Sequence, residues 1–171
     1  MSRDADHQIT ESLAAQRQSD SGELLERAVV PAFDPRRDVA VLVVPELPLA
    51  ALPFDTTGAR GTPAVIAGFP KDATKVTATT ARIRDRQTST SADIYHSTPN
   101  VRREIFALTG VVRPGDSGAP LLSAGGAVYG LVFAAEYGVP GAGYALTARE
   151  IATDAQDGRI ATVAVPTGGC V

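Results

Sequence analysis

The residues best suited to chemistry lie in Val112-Arg113-Pro114-Gly115-Asp116-Ser117-Gly118-Ala119-Pro120-Leu121-Leu122. Ser117 sits between an acid and a glycine, in a turn built from Pro, Gly and Asp with apolar residues on either side. Such a turn projects one hydroxyl and turns backbone N–H groups toward the space beside it. A nucleophilic serine needs both, because those N–H groups can stabilise the oxyanion formed when the hydroxyl attacks a carbonyl. The same residues also suit a surface β-turn with Ser117 merely exposed. The turn alone does not choose.

Acyl transfer by serine requires a base on the hydroxyl and an acid that orients the base. Asp38 is the candidate acid: it follows Arg36-Arg37 and opens the apolar run 39–44, at the mouth of an expected strand. Capping a turn, or pairing with a neighbouring arginine, is its other reading. The candidate bases are His7 and His96. His7 lies in Asp4-Ala5-Asp6-His7-Gln8, with nothing apolar upstream to hold it, so a leader histidine is the alternative. His96, in Asp93-Ile94-Tyr95-His96-Ser97-Thr98, reads as a surface histidine at the end of a short strand.

Two distant histidines and the terminal Cys170 give no metal-ligand spacing. Ser123-Ala124-Gly125-Gly126 has no following lysine and no helix, so it reads as a hairpin turn rather than a phosphate loop. The expectation is a site with no metal and no cofactor.

The elements that must position these residues are short strands. Of the 171 residues, 16 are Gly and 12 are Pro, with no Trp, which favours many short elements joined by turns. Residues 1–22 form a weakly specified leader, in which 10–18 suit two helical turns capped by Thr10. Strand character follows over 24–33 and over 39–44, the latter a continuous apolar run expected to be buried on both faces. Pro45, Pro48 and Pro53 mark an extended connector. Strands are expected again at 62–68, at 75–84 with a Thr/Ser-rich tip over 87–92, at 93–96, at 104–109, at 127–134 and at 144–146. Thr147 and Glu150 have capping-box spacing ahead of Ile151, predicting a short C-terminal helix stopped near Gly158. The pattern is that of an antiparallel all-β barrel or sandwich with one late helix.

The formal net charge is −3 and no basic block is present, so nucleic acid is not an expected partner. No apolar run approaches the length of a membrane span. The first residues carry no apolar signal-peptide core. Cys170 is the only cysteine, so no internal disulfide can form.

Taken in order, the motifs resemble the trypsin-like (chymotrypsin-fold) serine proteases. Arg37-Asp38-Val39-Ala40-Val41-Leu42 resembles the strand carrying the triad aspartate. Gly61-Thr62-Pro63-Ala64-Val65-Ile66-Ala67-Gly68-Phe69-Pro70 resembles the first strand of the second barrel. Gly115-Asp116-Ser117-Gly118-Ala119-Pro120-Leu121 resembles the nucleophile turn, and Tyr129-Gly130-Leu131-Val132-Phe133 the strand that pairs with substrate backbone. The likeness is greatest to an actinobacterial group of membrane-anchored periplasmic proteases linked to acid resistance, which share the segment from Tyr144 to Ile151 and the Thr167-Gly168-Gly169-Cys170 ending.

The resemblance implies a two-lobed antiparallel β-barrel fold. Residues 23–55 would be a remnant of the first barrel, and 56–171 the second barrel with its helix. It implies a serine endopeptidase acting on polypeptides in a periplasmic or extracytoplasmic setting. Ser117 would be the nucleophile, Asp38 the acid and His7 the base. The N–H groups of Gly115 and Ser117 would form the oxyanion hole. Phe133, Ala134 and Ala135 would bind substrate as an added strand, with Tyr144 beside the specificity pocket. The family's Thr-(Ala/Asn)-Ala-His segment is absent, and Ala119 stands where many relatives have glycine. Cys170 resembles a half-cystine whose partner would lie in N-terminal strands missing from this chain. The alternative expectation is an inactive protease-fold remnant that binds extended peptides.

Overall fold

Alternating and β-branched stretches become strands, and the capped segment becomes the helix. The computed structural model describes residues 29–44, 49–161 and 163–167. Its strands are β1 (Val29–Asp34), β2 (Val39–Val43), β3 (Pro63–Gly68), β4 (Thr77–Ser91), β5 (Val101–Gly110), β6 (Pro120–Leu122), β7 (Val128–Ala135) and β8 (Ala142–Thr147), followed by α1 (Ala148–Ile160). The fold is mostly β and antiparallel.

Six strands close into a barrel in the order β3–β4–β5–β8–β7–β6, with β6 returning to β3 through Val65 opposite Leu122 and Ile66 opposite Leu121. Closure removes the continuous unpaired edge that an open sheet would present. Its interior is filled by Ile66, Ile83, Phe106, Leu108, Leu121 and Val132, all essentially withdrawn from solvent. Burial of each such side chain stabilises by about 1.5–3 kcal/mol. The chain ahead of β3 is tied to β7 by bonds from Asp55 N to Val128 O (2.9 Å) and from Val128 N to Pro53 O (2.8 Å).

β1 and β2 form a separate two-stranded sheet. A lone hairpin is marginal in water, and this one is packed against the barrel and α1. Val39, Ile105, Leu146 and Ile151 make a second buried cluster, against which Leu131, Phe133 and Tyr144 pack. Thr147 caps α1, its Oγ1 accepting from Glu150 N at 3.1 Å while its hydroxyl donates to Glu104 Oε1 at 2.8 Å.

Several expected elements differ in the structure. The run 39–44 is buried only at Val39, because β2 has one partner strand and one covered face. β4 does not end in a tip: residues 87–91 stay paired, from Gln87 opposite Ile105 to Ser91 opposite Val101. Residues 93–96 form a turn rather than a strand. The Asp93 carboxylate accepts from Ser97 N (2.8 Å), Ser97 Oγ (2.8 Å) and Thr98 N (2.9 Å), and such local bonds compete with a ladder. α1 runs past Gly158 to Ile160, so Gly158 packs rather than stops. A Cβ there would lie 2.3 Å from Val41 Cγ1, and its absence lets α1 sit directly on β2. The expected leader and its helix over 10–18 lie outside the described residues.

Candidate active site

The Ser117 turn is wedged between β3 and β7. Gly115 has φ +93°, and a Cβ there would meet Lys71 N at 2.6 Å and Phe69 O at 2.7 Å. Only glycine satisfies both the left-handed backbone and the close approach. Lys71 N donates to Pro114 O at 2.7 Å and holds the turn against the Phe69-Pro70 corner. Asp116 is buried, and its Oδ2 accepts from Arg113 N at 2.9 Å. Gly118 N donates to Val132 O (2.8 Å) and Val132 N to Ala119 O (2.9 Å), fastening the far side to β7. Ala119 fits without strain because Gly68 opposite carries no Cβ; one there would stand 2.8 Å from the Ala119 methyl.

Ser117 itself is exposed, and its hydroxyl donates to Phe133 O at 3.4 Å. The N–H groups of Asp116, Gly118 and Ala119 are used inside the chain. Those of Gly115 and Ser117 meet no acceptor among the described residues. One turn therefore carries an exposed hydroxyl and two N–H groups without an internal acceptor among the described residues, donors of the kind an oxyanion requires.

Phe133 is the extra residue of a β-bulge, since β7 pairs with β8 at Val132–Ala145 and next at Ala134–Tyr144. Bulges re-aim groups and end pairing, often beside active sites. β6 pairs with β7 only as far as Leu131, so residues 133–135 keep their second edge unpaired among the described residues. Their other edge is held by β8 through Tyr144 and Gly143. The Tyr144 ring stacks on Phe133 at 6.3 Å between centroids.

Asp38 lies in the β1–β2 turn with φ +61°. It borders a cleft of about 170 Å³ that is also lined by Ile94, His96, Arg103, Phe133 and Leu146. Phe133 thus connects the two predicted residues: it lines the cleft of Asp38, and its carbonyl accepts from the Ser117 hydroxyl. His7, like Cys170, falls outside the described residues. His96 is exposed on a left-handed backbone, yet it borders the same cleft as Asp38.

Arg37 anchors this turn to α1, a role that its sequence context alone did not signal. Its guanidinium reaches Asp34 Oδ2 at 2.6 Å, Glu150 Oε1 at 3.0 Å and Asp154 Oδ1 at 3.8 Å. Burial works against the Arg37 charge, but the hydrogen bond to Asp34, the field of Asp154 and the bond to Glu150 outweigh it and raise its pKa. Burial raises the Asp154 carboxyl, which Arg37 offsets only in part. Glu150 also accepts from Glu104 N at 2.8 Å, so the clamp continues into the barrel.

A second cavity, about 330 Å³, lies between Val112 and the β7–β8 turn and is walled by Ala135, Glu136, Val139, Pro140 and Ala142. Among the described residues no group of three His, Cys, Asp or Glu side chains is placed to hold a metal ion. No helix among them is long and apolar enough to cross a membrane.

A closed antiparallel barrel, a glycine-wedged serine turn and an acid on a neighbouring hairpin define a class, and the comparisons agree. Residues 4–131 match the family model of the trypsin-like peptidase domain, and the chain belongs to that family. It is 40% identical over 146 residues to the serine protease Rv3671c of Mycobacterium tuberculosis, which covers 84% of this chain and 36% of that protein. The chain therefore spans little more than a third of the length of this relative. The crystal structure of the active form of the Rv3671c protease superposes with a TM-score of 0.81 and 38% identity, covering 88% of this chain and 66% of the other. The inactive form gives 0.69 at 38% identity, covering 79% and 68%. The HtrA-type protease AlgW with a decapeptide gives 0.66 at 22% identity, covering 78% and 41%, a likeness of fold.

Proposed function

We propose that the chain is the catalytic part of a serine endopeptidase that cleaves polypeptides through an acyl-enzyme on Ser117. The observation that carries this reading is the Ser117 turn, which combines an exposed hydroxyl with the N–H groups of Gly115 and Ser117, unengaged among the described residues. The greater likeness to the active than to the inactive form of the mycobacterial protease supports it. In the reaction, the base takes the Ser117 proton as Oγ adds to the scissile carbonyl, and the oxyanion is held by the two N–H groups. The base then passes the proton to the leaving amine. Water repeats the addition on the ester and releases the acid product. Asp38 orients the base from the β1–β2 hairpin, which represents the first lobe in this reading, and His7 is the proposed base. The substrate lies extended along residues 133–135 and adds a strand to their free edge. By family resemblance the setting is extracytoplasmic.

Labelling with a fluorophosphonate tests this reading. The parent chain should label at Ser117, Ser117→Ala should not, and His7→Ala should label at least a hundredfold more slowly. Equal labelling of the parent and Ser117→Ala refutes the nucleophile. Unchanged labelling of His7→Ala removes His7 as the base. Peptide binding without any labelling of the parent would favour the inactive, peptide-binding alternative.

A further inference from the structure

The 330 Å³ cavity lies where the side chain on the acyl side of a scissile bond would enter. It is bounded by Val112, on the approach to the Ser117 turn, and by Ala135, at the end of the free edge. Val112 packs directly on Gly143, where a Cβ would come within 2.5 Å of Val112 Cγ2. Val139, Pro140 and Ala142 complete an aliphatic lining, and Glu136 is its only ionisable member.

An open carboxylate in such a wall would favour lysine or arginine in the substrate. Here the carboxylate is already engaged. Arg84 Nη2 meets Glu136 Oε2 at 2.8 Å, and the Tyr144 hydroxyl lies near enough to the same carboxylate to lower its pKa. Glu136 N donates to Ala142 O at 2.9 Å, which fixes the residue at the start of the β7–β8 turn. Glu136 is held below the usual carboxylate range, first by the Arg84 bond and then by Tyr144.

Arg84 lies at a backbone irregularity. β4 pairs with β5 at Ile83–Leu108 and next at Asp85–Ala107, which leaves Arg84 as the extra residue of a bulge. The bulge breaks the alternation of the strand. Ile83 points into the core, while Arg84 and Asp85 are both exposed.

We propose that Arg84 is a specificity-determining residue. By pairing with Glu136 it cancels the one charge in the cavity wall, so the cavity takes an uncharged aliphatic side chain and rejects lysine and arginine. The inference rests on the peptidase reading of Ser117 and adds the class of residue cleaved.

The test uses the intact chain and peptidyl diphenyl phosphonates carrying Val, Leu, Lys or Glu at the acyl position. Each inactivation rate is divided by the fluorophosphonate labelling rate of the same variant. The parent should react about tenfold or more faster with Val or Leu than with Lys. Arg84→Gln, which frees Glu136, should narrow the Lys disadvantage by about fivefold to tenfold. Arg84→Gln combined with Glu136→Gln should restore the parent's order, and Arg84→Lys should keep it. A parent that labels with fluorophosphonate but prefers the Lys reagent overturns the proposal. So does an Arg84→Gln variant with an unchanged Lys-to-Val ratio. A parent that no fluorophosphonate labels refutes the peptidase reading itself, and the specificity falls with it.

Discussion

Arg37→Met removes the cation that ties the Asp38 hairpin to α1 while retaining an unbranched apolar side chain. The Arg37 side chain is 36% exposed, whereas those of Glu150 and Asp154 are 15% and 11% exposed. Asp154 Oδ2 is buried with no hydrogen-bond partner, so the loss of Arg37 leaves a shielded carboxylate without its nearest counter-charge. An exposed pair is worth about 0.2–1 kcal/mol, and breaking a fully buried one costs about 3–5 kcal/mol. The partial exposure of Arg37 places the cost between them, at about 1–3 kcal/mol. For a chain of this size that corresponds to a fall in Tm of about 2–12 °C. Arg37→Lys should lie between parent and Met, because a point charge cannot bridge three carboxylates as a planar fork does. Thermal unfolding measures the total, and amide exchange locates it. Protection should fall first in β1 and β2, because the clamp ties the turn between them to α1 and, through Glu150, to the barrel. A Tm within about 1 °C of the parent, with unchanged exchange in β1 and β2, would refute the reasoning.

Gly158→Ala should destabilise by about 1–3 kcal/mol in urea unfolding, although alanine is the better helix former by about 1 kcal/mol; the new methyl would strike Val41 Cγ1. Gly115→Ala, with φ +93° and a Cβ 2.6 Å from Lys71 N, should reduce fluorophosphonate labelling of Ser117 by at least tenfold while leaving the far-UV circular dichroism of the barrel intact. The turn at Asp93 should be sensitive to acid. Burial opposes ionisation of its carboxylate, but hydrogen bonds from Ser97 and Thr98 outweigh it and bring the pKa down to about 2. Because the folded value is depressed, the stabilisation is present above the unfolded pKa and is lost as pH falls from about 4 toward 2. Asp93→Asn should flatten that part of the stability–pH profile, as followed by urea titrations at each pH.

The fold class, the place of the Ser117 turn and the helix cap were legible in the sequence. These are local matters. A strand alternates because its pleat does, Gly115 is needed because φ is positive there, and Thr147 caps because Glu150 follows three residues later. Tertiary structure decided what depends on two distant segments meeting. Nothing near Gly158 in the chain reveals that Val41 will press on it, so a helix stop was expected where there is a contact. Asp93–His96 has strand-like composition, yet the Asp93 carboxylate gathers Ser97 and Thr98 into a turn that borders the cleft of Asp38. The bulges in β4 and β7 are set by how their partner strands register. Tertiary pairing likewise places Arg84 beside Glu136 and the Phe133 carbonyl beside Ser117.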